Sequence, residues 1–281
     1  ALDACALAGI DELQPGIESL SSHVLALMDK GITALENIRF MRDARSRRIG
    51  VIWNFLTAFP GETRQDYETM IDLLPLIGHL DAPARYGPIH IARYSPYQRD
   101  PERYGIGELR PMPVYEELFG AYAADICCDF AAEYETEFTA DVALVARFEQ
   151  AVDRWVDAWA SDGNPPCLEL HPLPDNRGLI EDTREVAEQR WQRIDQDAIR
   201  VLSMLRNPVH REHIERRIDV ELVNRVEELV EHKLVACYEG RYMSLVCEPL
   251  IGKRLAERRR ERLQATGRRD PEQQVLSDDV D

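Results

Sequence analysis

Gln14-Pro15-Gly16-Ile17-Glu18-Ser19 and Phe55-Leu56-Thr57-Ala58-Phe59-Pro60-Gly61-Glu62-Thr63 are built alike: each follows a short apolar run, turns on Pro or Gly, and precedes an amphipathic helix. A polar strand end feeding a helix start is where α/β barrels place their chemistry. Two in succession predict a βαβα repeat. Outward from them, Ile10–Leu13 reads as the end of a buried strand. Val51-Ile52-Trp53-Asn54-Phe55-Leu56 reads as a strand covered on both faces, and Pro88-Ile89-His90-Ile91-Ala92-Arg93 as a third, ending in Tyr94-Ser95-Pro96-Tyr97. Three such units are too few to close an eight-stranded barrel.

The segments between them carry helix signals. Ser21 or Ser22 can cap a helix with Val24, Leu27 and Met28 on its apolar face, closed by Lys30-Gly31. A second helix turns Leu35, Ile38 and Met41 inward. Thr63-Arg64-Gln65-Asp66 resembles a capping box with Asp in place of Glu, and the helix it opens carries Met70, Leu73, Leu74 and Ile77.

Downstream, Gln98–Pro113 reads as a surface loop and Val114–Gly163 as mostly helical, with Trp155 and Trp159 at i and i+4. Asn164-Pro165-Pro166 reads as a linker. Cys167–Leu170 and Leu179-Ile180, around Asp175-Asn176-Arg177-Gly178, predict a hairpin. Helices are expected over 185–206, 209–217 and 220–233, then a ribbon of Leu234–Tyr238 and Tyr242–Leu245, a winged-helix-like order. The expected organisation is therefore residues 1–112 as the strand–helix repeat and 113–163 as a helical extension. Residues 164–250 form a hairpin plus a winged-helix-like module, and 251–281 a charged helix with a disordered tail.

The chain has 281 residues, 44% hydrophobic and 30% charged, enough to bury a sizeable core. It holds no apolar run long enough for a membrane span and no signal peptide. It begins Ala1-Leu2-Asp3-Ala4, almost at once in a strand–helix pattern, and the expectation is a fragment of a longer protein. The net charge of −17 argues against nucleic-acid or anionic-membrane surfaces and leaves room for a cationic peptide. Cysteines at 5, 127, 128, 167, 237 and 247 form no framework, so reduced thiols and a cytoplasmic setting are expected. Cys127-Cys128 reads as buried packing.

The strand-end segments resemble those of radical S-adenosylmethionine enzymes, and more narrowly the cobalamin-dependent group that matures ribosomally made peptides, often as C-methyltransferases. The resemblance runs through Gln14–Ser21, Leu27–Gly31, Trp53-Asn54-Phe55 to Phe59-Pro60-Gly61-Glu62, and Tyr94-Ser95-Pro96-Tyr97. It continues in Asp182-Thr183-Arg184 and Gly240–Leu245. It implies an α/β fold, the C-terminal part of a partial (βα) TIM barrel, binding S-adenosylmethionine along its strand ends. It also implies a 4Fe–4S cluster and a cobalamin domain. The family's Cys-x3-Cys-x2-Cys loop is absent from this chain, and so is a cobalamin-binding half. Both are expected in a missing N-terminal half, without which the chain is expected to be inactive; no metal ligand is assigned within it. The implied substrate is a precursor peptide.

On this resemblance Gln14, Glu18 and Ser19 contact the ribose and methionine portions of the cofactor, and Asn54, Phe59, Gly61 and Glu62 its adenine side. Arg93, Tyr94, Ser95 and Tyr97 face cofactor or peptide. Beside each stands a plainer reading: Glu18 near a helix dipole, Ser19 as a cap, Glu62 in a turn, Tyr97 as a rim aromatic. No catalytic residue is assigned. His210 and His213 have a legal metal spacing, but a solvated helix face is favoured. Arg258-Arg259-Arg260 is flanked by Glu257 and Glu261 and reads as a salt-bridged helix.

Two other functions compete. In a DNA-binding regulator the recognition helix would be 220–233, which is mostly acidic. In a non-catalytic scaffold the winged-helix-like module would bind a peptide or partner.

Overall fold

The computed structural model describes residues 1–160, 165–216 and 220–265. The chain opens with α1 (Leu2–Ala8), β1 (Glu12–Leu13), α2 (Ser22–Leu27), α3 (Ala34–Arg45), β2 (Gly50–Val51), β3 (Asn54–Thr57), α4 (Arg64–Ile77) and β4 (Arg85–Pro88). β1 pairs with β2 and β3 with β4, both parallel. Glu18 adds a parallel bridge to Phe55, its carbonyl accepting from Leu56 N–H at 2.8 Å. Residues 50–57 are therefore the middle of three parallel runs. Their single predicted strand is two short ladders, because Val51 pairs on one side and Asn54–Thr57 on the other.

The helix signals act as expected. Ser21 accepts from Val24 N–H, and Thr63 and Asp66 form a reciprocal box at the start of α4. Leu35, Ile38, Met41, Met70, Leu73, Leu74 and Ile77 are all buried. α2 ends at Leu27, however, earlier than Lys30-Gly31 suggests, since Asp29 turns into the left-handed region.

Next come β5 (Ile91–Ala92), α5 (Pro96–Arg99), β6 (Leu109–Pro111), α6 (Pro113–Phe119), α7 (Ala123–Ile126), β7 (Asp129–Ala132) and α8 (Val142–Ala160). The third predicted strand, 88–93, is a correction. The parallel strand is β4, and Ile91–Ala92 instead joins an antiparallel sheet ordered β5-β7-β6. Apolar spacing marked Ile89 and Ile91, but they pack with Phe59 and Ile106 in a second core. The predicted loop 98–113 contains β6, and the predicted helical stretch contains β7. Cys127 is buried but Cys128 is exposed.

Trp155 and Trp159 on α8 donate their indole N–H groups to Leu80 O and Gly78 O, at 2.9 and 3.0 Å. These bonds satisfy carbonyls just beyond the end of α4, and Trp53 packs against Trp155.

The last part contains β8 (Leu168–Pro172), β9 (Gly178–Asp182), β10 (Trp191–Ile194), α9 (Gln196–Met204), β11 (Val209–His210), α10 (Arg211–Glu215), α11 (Val220–Glu231), β12 (Val235–Tyr238), β13 (Arg241–Ser244) and α12 (Pro249–Ala265). The predicted hairpin is β8–β9, extended by β10, where a helix was expected; Asp195 caps α9 only after that strand. A second sheet is ordered β11-β13-β12. Asn164 of the linker, residue 217 and the tail beyond Ala265 lie outside the described residues. The fold is mixed α/β, with small sheets and no closed barrel among the described residues.

One apolar core runs from the parallel strands into the C-terminal elements. Buried polar groups cross the same seam. Arg42 donates to Ser244 O and Arg206 O, and Arg184, paired with Asp182, donates to Leu76 O at the end of α4. His79 Nε2 lies 2.9 Å from Leu245 O.

Phe148 is fully buried and meets Phe55, Tyr67 and Phe138 edge-on. Phe148→Ala is expected to cost about 3–5 kcal/mol, read by urea denaturation. His79 is held well below the ordinary imidazole value of 6.5 by burial and then by the Arg184, Arg45 and Arg42 charges. The folded state thus excludes a proton that the unfolded state binds. This contribution to stability is complete above 6.5. It is expected to fall on acidification below that, by up to about 1.4 kcal/mol per pH unit. His79→Gln should flatten that limb in denaturation curves recorded between neutral and mildly acidic pH.

Candidate functional site

The C-terminal tips of β1, β3 and β5 each lead into a non-glycine residue with positive φ: Glu18 at 59°, Ala58 at 57° and Tyr94 at 69°. Left-handed backbone at such residues is uncommon and clusters at functional loops. At Glu18 it lets the chain leave β1 sharply while its carbonyl stays bonded to β3.

Around these tips lie two ion pairs and three rings. Lys30 Nζ stands 3.1 Å from Glu18 Oε1. Arg103 Nη2 stands 2.5 Å from Asp29 Oδ2, which also accepts from the Tyr104 hydroxyl at 3.2 Å. Phe59, Tyr97 and Tyr104 form a trio of edge-to-face contacts with centroids 5.0–6.4 Å apart. The Tyr97 hydroxyl is pushed up to about 12 by burial, then by Tyr104, Glu18 and Asp29 nearby. Gly16 leaves the space for the first pair, since a Cβ there would sit 2.9 Å from Lys30 Nζ. Beside the trio is a cavity of about 400 Å³, walled by Leu27, Phe59, Gly61, Arg103, Tyr104 and Tyr134. Gly61 has φ 90°, and a Cβ on it would meet Leu27 at 3.3 Å. Rings beside exchangeable, partly exposed ion pairs can hold a ligand with a flat ring and charged groups of both signs.

The structure thus brings Glu18, Phe59, Gly61 and Tyr97 together and sets the other expected residues elsewhere. Ser19 is fully buried, with its hydroxyl accepting from Ser21 N–H and directed at Met70 Sδ. Glu62 is 2% exposed, and both its oxygens are taken, by Phe59 N–H, the Tyr67 hydroxyl and the Thr136 hydroxyl. Asn54 opens β3 rather than ending it, paired in register with Arg85. Three residues of strand separate it from the tip, roughly 10 Å. Gln14 is exposed just after β1. The Arg93 guanidinium donates to Cys127 O and Ala124 O, Ser95 caps α5, and Tyr94 is exposed.

Lys30, Asp29, Arg103 and Tyr104 are the residues that sequence reasoning missed. Lys30 reads as a helix-end cation, and Arg103-Tyr104 lies in a segment read as loop. The positive φ at Asp29 and its bonds from Arg103 and Tyr104 join them.

Burial raises the Glu62 carboxyl above its usual value, outweighing the hydrogen bonds from Tyr67, Thr136 and Phe59. A raised carboxyl contributes stability in full below the ordinary 4.5, and loses it as pH rises through the folded value. Glu62→Gln keeps an acceptor for Phe59 and Tyr67 without the buried charge. It is expected to be at least as stable as the parent at pH 7 and to converge with it in acid. Glu62→Ala leaves those donors unmatched and should cost about 1–3 kcal/mol. Thermal denaturation of both variants across pH checks the pair.

No family model matches the chain, and no solved structure matches it. A stretch of 72 residues is 36% identical to the tRNA-2-methylthio-N(6)-dimethylallyladenosine synthase of Herminiimonas arsenicoxydans, covering 25% of this chain and 16% of that protein. The synthase of the same name from Alteromonas mediterranea is also 36% identical over 72 residues, 25% of this chain and 15% of that protein. The match spans about a sixth of the length of these curated relatives. Nothing in these names extends to the cobalamin-dependent branch.

Proposed function

We propose that this chain is the C-terminal part of a radical S-adenosylmethionine enzyme and that its strand tips hold the cofactor. One observation carries the reading: Glu18–Lys30 and Asp29–Arg103 flank the Phe59–Tyr97–Tyr104 rings beside the tips of the parallel strands β1 and β3. S-adenosylmethionine presents an ammonium, a carboxylate, ribose hydroxyls and adenine. Glu18 and Asp29 can accept from the ammonium or ribose, Lys30 and Arg103 can pair the carboxylate, and Phe59 and Tyr104 can pack on the adenine. When bound, the cofactor supplies the radical chemistry of its class. This chain's own residues bind it, orient it and shield one side.

A 4Fe–4S cluster does not fit the residues present. Among the described residues no group of three or more His, Cys, Asp or Glu could hold a metal ion, and all six cysteines are free. In the proposed enzyme the cluster's thiolates come from the N-terminal half.

The finer reading is C-methylation of a ribosomally made precursor peptide with cobalamin as the second cofactor, in the cytoplasm. It rests on the ordered motifs from Gln14 to Leu245. The order α9, β11, α10, α11, β12–β13 supports a winged-helix-like module as the peptide's docking site. The relatives' names specify tRNA modification. A net charge of −17 speaks against a polyanion and for a peptide. No helix among the described residues is long and apolar enough to cross a membrane. A second reading, a non-catalytic scaffold that binds a peptide or partner, is favoured by the missing cluster ligands.

The test is equilibrium binding of S-adenosylmethionine to the complete gene product, prepared anaerobically. Glu18→Ala and Lys30→Ala are each expected to weaken binding about tenfold, some 1.4 kcal/mol, while Asn54→Ala leaves it unchanged. Binding that ignores Glu18 and Lys30, or no binding by a protein carrying its cluster, overturns the assignment.

A further inference from the structure

The His23–Asp66 pair lies outside the contacts assigned to the cofactor. Asp66, on α4, is 8% exposed at its side chain and receives the Ser21 hydroxyl at 2.6 Å on Oδ1. On Oδ2 it receives Thr63 N–H and the Thr63 hydroxyl, each at 2.8 Å. Burial opposes its charge, but the bonds from Ser21, His23 and Thr63 outweigh burial and hold the carboxyl below its usual range. His23 Nδ1 lies 2.9 Å from the same Oδ2. An ionised carboxylate only accepts, so Nδ1 carries the hydrogen and the lone pair of the neutral ring is on Nε2. His23 is half exposed, and Nε2 has no partner among the described residues. His23 and Leu27 are four apart on α2, hence on one face, and Leu27 walls the cavity that Gly61 borders. Of the other ionisable groups at this helix start, Glu239 is engaged with Ser22 and the Tyr238 hydroxyl with Leu20 O.

We propose that His23, oriented by Asp66, is a proton-accepting group one helical turn from the Leu27 wall of this cavity, serving a bound molecule that presents an N–H or O–H. In the step, the N–H or O–H bond breaks heterolytically and its electron pair stays on the ligand atom. The proton joins the Nε2 lone pair, giving an imidazolium that the Asp66 carboxylate faces. Release of that proton to water restores the neutral ring, so no further reactant is needed.

The test uses the chain itself and no cofactor, so its failure is distinct from failure of the proposed function. Long-range proton–nitrogen correlation spectra of the nitrogen-15-labelled chain should show neutral His23 in the Nδ1–H form. His90 provides the internal contrast: its Nε2 faces Asp129 at 2.5 Å, so the opposite form is expected there. Diethyl pyrocarbonate, followed by peptide mass spectrometry, should acylate His23 several-fold faster than His210 or His213. Asp66→Asn should abolish that advantage. An Nε2–H ring at His23 in the parent chain, or acylation no faster than at His210, overturns the proposal. The tautomer of the parent chain decides alone if Asp66→Asn does not fold.

Discussion

A single buried carboxylate, Asp66, joins the starts of two helices at the place where the parallel strands end. It closes the capping box of α4 and accepts from Ser21, the residue that caps α2. Helix starts leave N–H groups without intrahelical partners, and at buried positions each needs an acceptor. One side chain here serves the first turn of α4 and fixes the cap of α2. The left-handed turn at Glu18 is set between that anchor and the backbone bond to Leu56. The ion pairs and rings at the strand tips depend on this arrangement.

In the proposed site, most of the binding character at the tips would come from groups that contribute little to folding. Partly exposed ion pairs such as Glu18–Lys30 and Asp29–Arg103 are worth about 0–1 kcal/mol each. A ligand can exchange their partners at small cost. Ser19 and Glu62 behave differently: buried and fully bonded, they brace the loops whose neighbours face solvent. Adjacent residues in one loop thus divide between support and, in the proposed site, recognition.

The C-terminal elements are joined to the strand-tip region by direct bonds. The β12–β13 turn reaches the start of α2, where Glu239 engages Ser22 and the Tyr238 hydroxyl donates to Leu20 O at 2.7 Å. This turn is therefore engaged within the chain, unlike a wing free to enter a groove. With Arg42, His79 and Arg184 bonding to Ser244, Leu245 and Leu76 across the same seam, a change in the C-terminal sheet has a physical route to the loop that carries Glu18.

Much of the local structure was legible in the sequence. The capping box at Thr63–Asp66, the inward faces of α3 and α4, the β8–β9 hairpin and the final ribbon all follow from short-range rules of capping, periodicity and turn chemistry. Those rules act over a few residues, so a sequence carries them whole. Where they failed, partners distant in the chain decided. Polar, Gly- and Pro-containing Arg85–Pro88 is a strand because β3 lies beside it, while apolar Ile89 and Ile91 turn into a second core. The site divides in the same way. The resemblance carried by the strand-end segments singled out Glu18, Phe59, Gly61 and Tyr97. Arg103, Tyr104 and Asp29 join them, and Ser19 and Glu62 turn away, only once the chain is folded. Which side of a loop faces the core, and which distant charge meets it, is set by packing between elements that no local pattern encodes.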